Sequence, residues 1–148
     1  MSKTLQVRQR EIVDEFARLD GWEARYRRLI ERGKAMGELP DNLKDDDHKI
    51  RGCQSQVWLA AEVDAGGRAV FRADSDAFIV KGLVSLLVDA YSGALPSDIL
   101  ATPPSFLKEI GLDQHLSPSR ANGLFAMVKQ IMIYAAAFQA LAPRPPVG

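Results

Sequence analysis

Residues 77–91 are apolar almost all the way round a helix, interrupted chiefly by Lys81, Ser85 and Asp89. A helix with one apolar stripe can lie on a surface, whereas one that is apolar on every side has to be enclosed. This stretch therefore predicts a central helix, stopped by Gly93, that the rest of the chain must surround. Upstream, Ile12, Val13, Phe16 and Leu19 recur at helical spacing, and Trp22, Tyr26, Leu29 and Ile30 mark a second helix. Asp20 with Glu23 resembles a capping box for that second helix, and Gly33, Gly37 and Pro40 are expected to end it. Its other face holds Arg25, Arg27, Arg28 and Arg32, read as a solvated face with a docking patch as the alternative.

The strand signals lie between. Residues 56–63 alternate and are rich in β-formers, Asp64-Ala65-Gly66-Gly67 turns the chain, and residues 69–73 return it, a hairpin into which Ile50 leads. Residues 96–111 read as two short helices, the second opened by Pro103-Pro104-Ser105 and closed by Gly111. Ser117-Pro118 caps a long final helix with a stripe of Leu124, Val128, Ile131, Ala135 and Phe138. No repeat and no domain boundary is visible. The expected architecture is α+β: a single domain spanning residues 1–148, with a core from about 5 to 142, a small antiparallel sheet of about three strands packed against several helices, and a frayed Pro-rich tail at 143–148.

At 148 residues the chain can bury roughly 68–70% of its unfolded surface, so one core suffices. Nineteen basic residues balance nineteen acidic ones, which leaves no long-range field to gather polyanions and argues against a nucleic-acid partner. The N-terminal residues carry charges with no apolar run behind them, unlike a secretory signal. Residues 124–141 are quite apolar, but Lys129, Gln130 and Gln139 interrupt them, so they read as a core helix and no membrane association is expected. A single cysteine excludes an internal disulfide and a multi-cysteine metal site, and fits a reducing, cytoplasmic setting.

That cysteine, Cys53, stands in Lys49-Ile50-Arg51-Gly52-Cys53-Gln54-Ser55-Gln56. A free cysteine is often just a small buried hydrophobe. Here Gly52 permits a sharp bend and Gln54, Ser55 and Gln56 mark a polar loop, which favours a reactive thiol. Only about 3% of an ordinary thiol is ionised at pH 7. In an extended segment Lys49, Arg51 and Cys53 share a side, so moderate activation by the two cations is expected. The two histidines, His48 after Asp45-Asp46-Asp47 and His115 between short helical segments, offer no obvious base for a cysteine hydrolase, and a metal site at Asp45, Asp47 and His48 is not expected. Gly33-Lys34-Ala35-Met36-Gly37 lacks the spacing of a phosphate loop.

The run from Lys49 to Leu59 resembles the signature of SufE-type sulfur acceptors. So do Ala73-Asp74-Ser75-Asp76 with Ile79-Val80-Lys81-Gly82-Leu83, and the segment Gln114-His115-Leu116-Ser117-Pro118-Ser119-Arg120-Ala121-Asn122-Gly123-Leu124. Three segments in the right order make the likeness specific, and it spans roughly residues 19–138. The resemblance implies a SufE/IscU-like fold and an accessory protein to a PLP-dependent cysteine desulfurase of the SufS or CsdA kind, feeding sulfur to an iron–sulfur scaffold complex of the SufBCD kind. The protein itself would need no cofactor, since PLP belongs to the desulfurase. Cys53 matches the acceptor cysteine. Its thiolate would attack the outer sulfur of the desulfurase persulfide, as in thiol–disulfide exchange, so no acid or metal is required and a stand-alone enzyme is not implied. In the family the cysteine loop rests against an apolar hollow, which would raise the thiol's pKa until docking extracts the loop. Arg51, Gly52, Gln54, Asp76 and Arg120 would support the loop or meet the partner. Blander roles stand beside these: Asp76 as a first-turn anion or cap of the central helix, Arg120 as a cation at a helix start that needs a compensating contact, and Trp58 as a core residue. Three other functions remain open: a binding module that regulates or tethers a desulfurase with Cys53 incidental, a cluster scaffold that borrows ligands by dimerising, and a cysteine hydrolase.

Overall fold

The computed structural model describes residues 4–142, so the expected frayed tail lies outside the described residues. The chain runs α1 (Leu5–Ala17), α2 (Gly21–Met36), a 3-10 turn (Asp41–Leu43), β1 (Val57–Val63), β2 (Ala69–Ser75), α3 (Phe78–Tyr91), α4 (Pro96–Ala101), α5 (Ser105–Glu109), α6 (Leu112–His115) and α7 (Pro118–Leu141). The fold is α+β, as its pattern predicts.

Helix α3 is the axis. Val80, Leu83, Val84, Leu86, Leu87, Ala90 and Tyr91 are all buried in one hydrophobic cluster with residues of α1, α2, both strands and α7. Two glycines let α2 cross it unusually closely. A Cβ on Gly82 would fall 2.2 Å from the Leu29 carbonyl oxygen, and one on Gly33 would fall 2.9 Å from the Gly82 nitrogen. Gly33 is thus a packing residue inside α2 and not its end; the stop is Gly37, at φ +82°. Asp20 occupies the N-cap of α2 without a side-chain bond, so the capping box does not form. The basic face of α2 is also less free than expected. Arg28 and Arg32 both bind Glu15 of α1, and Arg32 also reaches Asp89 of α3, while Arg25 donates to the Ile110 carbonyl at 3.1 Å and lies over the Trp22 ring.

The sheet has two strands, not about three. β1 and β2 pair antiparallel from Val57↔Ser75 to Val63↔Ala69, and Asp64 Oδ1 closes the turn by accepting from the Gly66 and Arg68 amides, each at 2.9 Å. The segment around Ile50 contributes a single bridge, Lys49↔Trp58, because Gly52 at φ +95° turns the chain away before a ladder can extend. A second lone bridge, Ala69↔Ala94, fastens the chain after α3 to the other edge. Val57, Leu59, Phe71 and Ala73 bury one face. Trp58 lies on the other, only partly buried beneath Lys44 Nζ at 5.8 Å from its ring, so it is not a core residue.

Helix α7 opens as expected: the Ser117 side chain accepts from the Arg120 amide and Pro118 fills the first turn. By length and composition it could cross a membrane. In this fold it packs on α3 and α4, with Gly123, Leu124, Met127, Ile131 and Ala135 buried, while Phe125, Ile133 and Leu141 face outward. It is a core helix on one side only.

Candidate functional site

The cysteine lies in a loop, residues 51–56, between the bridge at Lys49 and the start of β1. The neck of the loop is closed by backbone: Ile50 N–H donates to Val57 O at 2.8 Å, and Leu59 N–H to His48 O at 2.8 Å. One further side is clamped by the segment just ahead of α3. Asp76 Oδ1 accepts from the Gln56 amide at 3.0 Å, the Asp76 amide donates to Gln56 O at 3.2 Å, and Ser75 Oγ donates to the same carbonyl at 2.8 Å. Asp76 therefore neither caps nor opens α3, whose N-cap is Ala77; its carboxylate holds the cysteine loop.

Between these fixed ends the loop folds down onto the start of α7. A Cβ on Gly52 would meet Ala126 at 3.4 Å, and Cys53 Sγ donates to the Gly123 carbonyl at 3.5 Å. The sulfur is half-buried beside a cavity of about 380 Å³. Gln54, Ser55, Ser117, Ser119 and Arg120 make its polar rim, and Val80, Gly123 and Met127 its apolar floor.

Burial pushes the Cys53 thiol above its ordinary range, and no charge offsets it. The activation expected from Lys49 and Arg51 does not occur. Residues 51 and 52 form a turn, so the two cations and the sulfur do not share one side of a strand, and Arg51 is exposed to water that screens it. Arg120 shares the cavity with Cys53, and its guanidinium has no ion-pair or hydrogen-bond partner among the described residues, so within the chain itself none of them compensates for a cation at the start of α7. Neither histidine lines the cavity. His48 Nδ1 lies 2.7 Å from Asp45 Oδ1, and the His115 ring stacks on Trp22 at 4.1 Å. Of the residues singled out from sequence, the fold thus brings together Cys53, Gln54 and Arg120 around one cavity, sets Gly52 against α7, ties Asp76 to the loop's end and leaves Arg51 in solvent.

The arrangement also uses residues that carry no chemistry a sequence would flag. Val80 and Met127 read as core, Ser119 as helix surface, and Gly123 as an oddity in an apolar helix. Only Gly123 leaves a trace, since glycine inside a long helix is disfavoured unless something needs the space. Asp74 is likewise easy to overlook just before the two residues of the loop clamp, Ser75 and Asp76. Just 2% exposed, it binds Lys44 Nζ at 3.0 Å, Lys81 Nζ at 3.1 Å and the Leu39 amide at 3.1 Å, fastening the linker before the loop to β2 and α3.

Chemically, the site is a half-buried thiol whose cavity is lined by no histidine, carboxylate or lysine that could serve as its base, and it is the only cysteine among the described residues. A group of that kind suits exchange at sulfur more than hydrolysis.

The chain is similar to known proteins along most of its length. An uncharacterized SufE-like protein of Rhizobium etli is 43% identical over 125 residues, covering 82% of this chain and 84% of that protein. One from Rhizobium meliloti is 41% identical over 125 residues, covering 82% and 89%. A hypothetical protein from Thermus thermophilus, solved in solution, shares the fold at a TM-score of 0.74 and 23% identity, covering 90% of this chain and 96% of that one. Residues 10–135 match the family model described as the SufE, Fe-S metabolism associated domain, and with that match and those relatives the chain belongs to the SufE family.

Proposed function

We propose that the protein is a sulfur acceptor and carrier: Cys53 takes the outer sulfur of a persulfide on a PLP-dependent cysteine desulfurase and passes it on toward iron–sulfur cluster assembly. The observation that carries this reading is the position of Cys53, a lone thiol at the tip of a loop whose two ends are fixed and whose middle rests on α7 through few contacts. The Cys53 thiolate attacks the outer sulfur of the donor's Cys–S–SH. The donor's S–S bond breaks, its thiolate leaves with the bonding pair, and Cys53 becomes the persulfide with no net oxidation. The desulfurase, freed of product, can turn over again, so carriage and stimulation of the partner are one process. A thiol of the cluster scaffold repeats the exchange on Cys53 and accepts the sulfur.

Burial supports the reading in a further way. Held above its ordinary pKa in a half-closed cavity, the resting thiol is a poor target for adventitious oxidants, and the loop must lift from α7 before it can attack. A docked partner supplies that displacement. On this reading Arg120 and Gln54, which line the cavity rim, meet the partner or steady the anionic sulfur once the loop has moved. The reading suits reducing, cytoplasmic surroundings, where a free thiol persists.

The test is direct. Incubated anaerobically with cysteine and its cognate desulfurase, the wild-type protein should gain one sulfur atom on the peptide containing Cys53, seen by mass spectrometry. Cys53→Ser should gain none and should lose the stimulation of sulfide release while keeping its fold. A Cys53→Ser variant that still stimulates fully would overturn the acceptor role and leave a protein that only tethers or regulates the desulfurase.

A further inference from the structure

Gly123 lies on the buried side of α7, in the second turn of a 24-residue helix, past its cap, where glycine is disfavoured. What fills the space of its missing side chain is the cysteine. A Cβ on Gly123 would sit 3.3 Å from Cys53 Sγ, 3.8 Å from its Cβ and 4.0 Å from its Cα. Only the first of these is tighter than ordinary contact, so the sulfur alone depends on the glycine. The same residue's carbonyl accepts the S–H at 3.5 Å.

We propose that Gly123 is the positioning residue for the acceptor thiol: its absent side chain admits the sulfur to a seat on α7, and its carbonyl accepts the S–H, so the helix stores Cys53 as a neutral thiol. The proposal rests on the sulfur-acceptor reading for its biological use, though the seat exists in the free protein whatever Cys53 carries. A carbonyl oxygen can accept a hydrogen bond and never donate one, so it suits S–H and opposes a thiolate. The surroundings add little to counter this. Arg51 on the loop and Arg120 on α7 are both exposed, and α3 presents apolar Val80, its neighbour Lys81 being paired with Asp74. Nothing else need give way if the seat is filled, because the sulfur turns about a single side-chain bond and the cavity beside it offers about 380 Å³.

Gly123→Ala tests this. The folded variant should react with iodoacetamide at neutral pH about tenfold faster than wild type, as a tenfold larger thiolate fraction would produce, and the pH midpoint of its alkylation should fall. The second readout is a double-mutant cycle in Tm with Cys53→Ala, which removes Sγ and keeps the Cβ that Gly123 tolerates. Without the sulfur, Gly123→Ala should raise Tm by favouring the helix; with the sulfur present it should raise Tm less, or lower it. An unchanged alkylation rate and midpoint, or strictly additive Tm effects, would overturn the proposal. So would a Gly123→Ala protein that fails to fold equally with and without Cys53→Ala, whereas folding rescued by Cys53→Ala supports it. Neither readout uses a desulfurase, so a thiol that seats as described but never gains sulfur would count against the transfer reading alone.

Discussion

At the scale of the residue, the burial of Cys53 opposes the nucleophilic role proposed for it. Desolvation favours the protonated thiol, so the folded chain binds this proton more tightly than the unfolded chain does. The stability this confers is present below the unfolded thiol's pKa and is lost as pH rises through the higher folded value, where the sulfur must ionise inside its seat or leave it. Chemical denaturation followed from neutral pH into the alkaline range should therefore show wild type losing stability faster than Cys53→Ser. Equal slopes would mean that the thiol is already solvated at rest. The identity of this residue was legible in the sequence, from a lone cysteine in a polar loop after a glycine. Its protonation followed only from the family resemblance, which implies a raised pKa; the neighbours Lys49 and Arg51 suggest the opposite, because they flank it in the chain, but the turn at Gly52 sends them elsewhere in space. Asp76 supports the loop as the family resemblance implies, whereas its alternative role as a helix cap, suggested by adjacency to a helix start, fails because the folded backbone puts the Gln56 amide 3.0 Å from its carboxylate.

Among the elements, the α2–α3 crossing governs everything built upon it. Gly82 meets the backbone of Leu29 and not the end of a pliable side chain, so an added methyl cannot be accommodated by rotation. Gly82→Ala should destabilise the protein by about 3 kcal/mol, at the severe end for overpacking, and thermal or urea unfolding would measure it. Gly33→Ala meets backbone at 2.9 Å and should be costly for the same reason. The central helix, the hairpin and the opening of α7 could all be read from periodicity and turn chemistry. Gly33 could not, since a glycine near the end of a helical pattern looks the same whether it stops the helix or lets another pass close by. The third strand failed differently. Residues 49–50 do enter the sheet, but the cysteine loop that follows needs the chain to turn at once, and one bridge is what remains.

Across the whole molecule, Asp74 connects parts far apart in sequence: the linker before the loop, β2 and α3. Burial alone would raise its pKa, yet the bonds from Lys44, the Leu39 amide, Lys81 and the Ser75 amide outweigh it and hold the carboxyl below the usual aspartate range. Its contribution is present above the unfolded aspartate's pKa and lost as pH falls through the lower folded value. Asp74→Asn should lower Tm at neutral pH and flatten the acid limb of the stability curve; an unchanged acid limb would show that other carboxylates dominate. Such a triad is invisible in a sequence whose nineteen acids and nineteen bases are spread along the chain, because only the fold selects which of them meet. The closed neck between Ile50 and Val57 also fixes the geometry of any encounter with a donor. Cys53 is three residues from that neck, and three extended residues measure about 10 Å. The sulfur thus hangs on a short tether: it can swing outward by about the width of one helix and no farther, so if Cys53 accepts sulfur as proposed, a donor thiol must itself come up to the rim of its own protein, and a sulfur buried more deeply than that would pass no cargo.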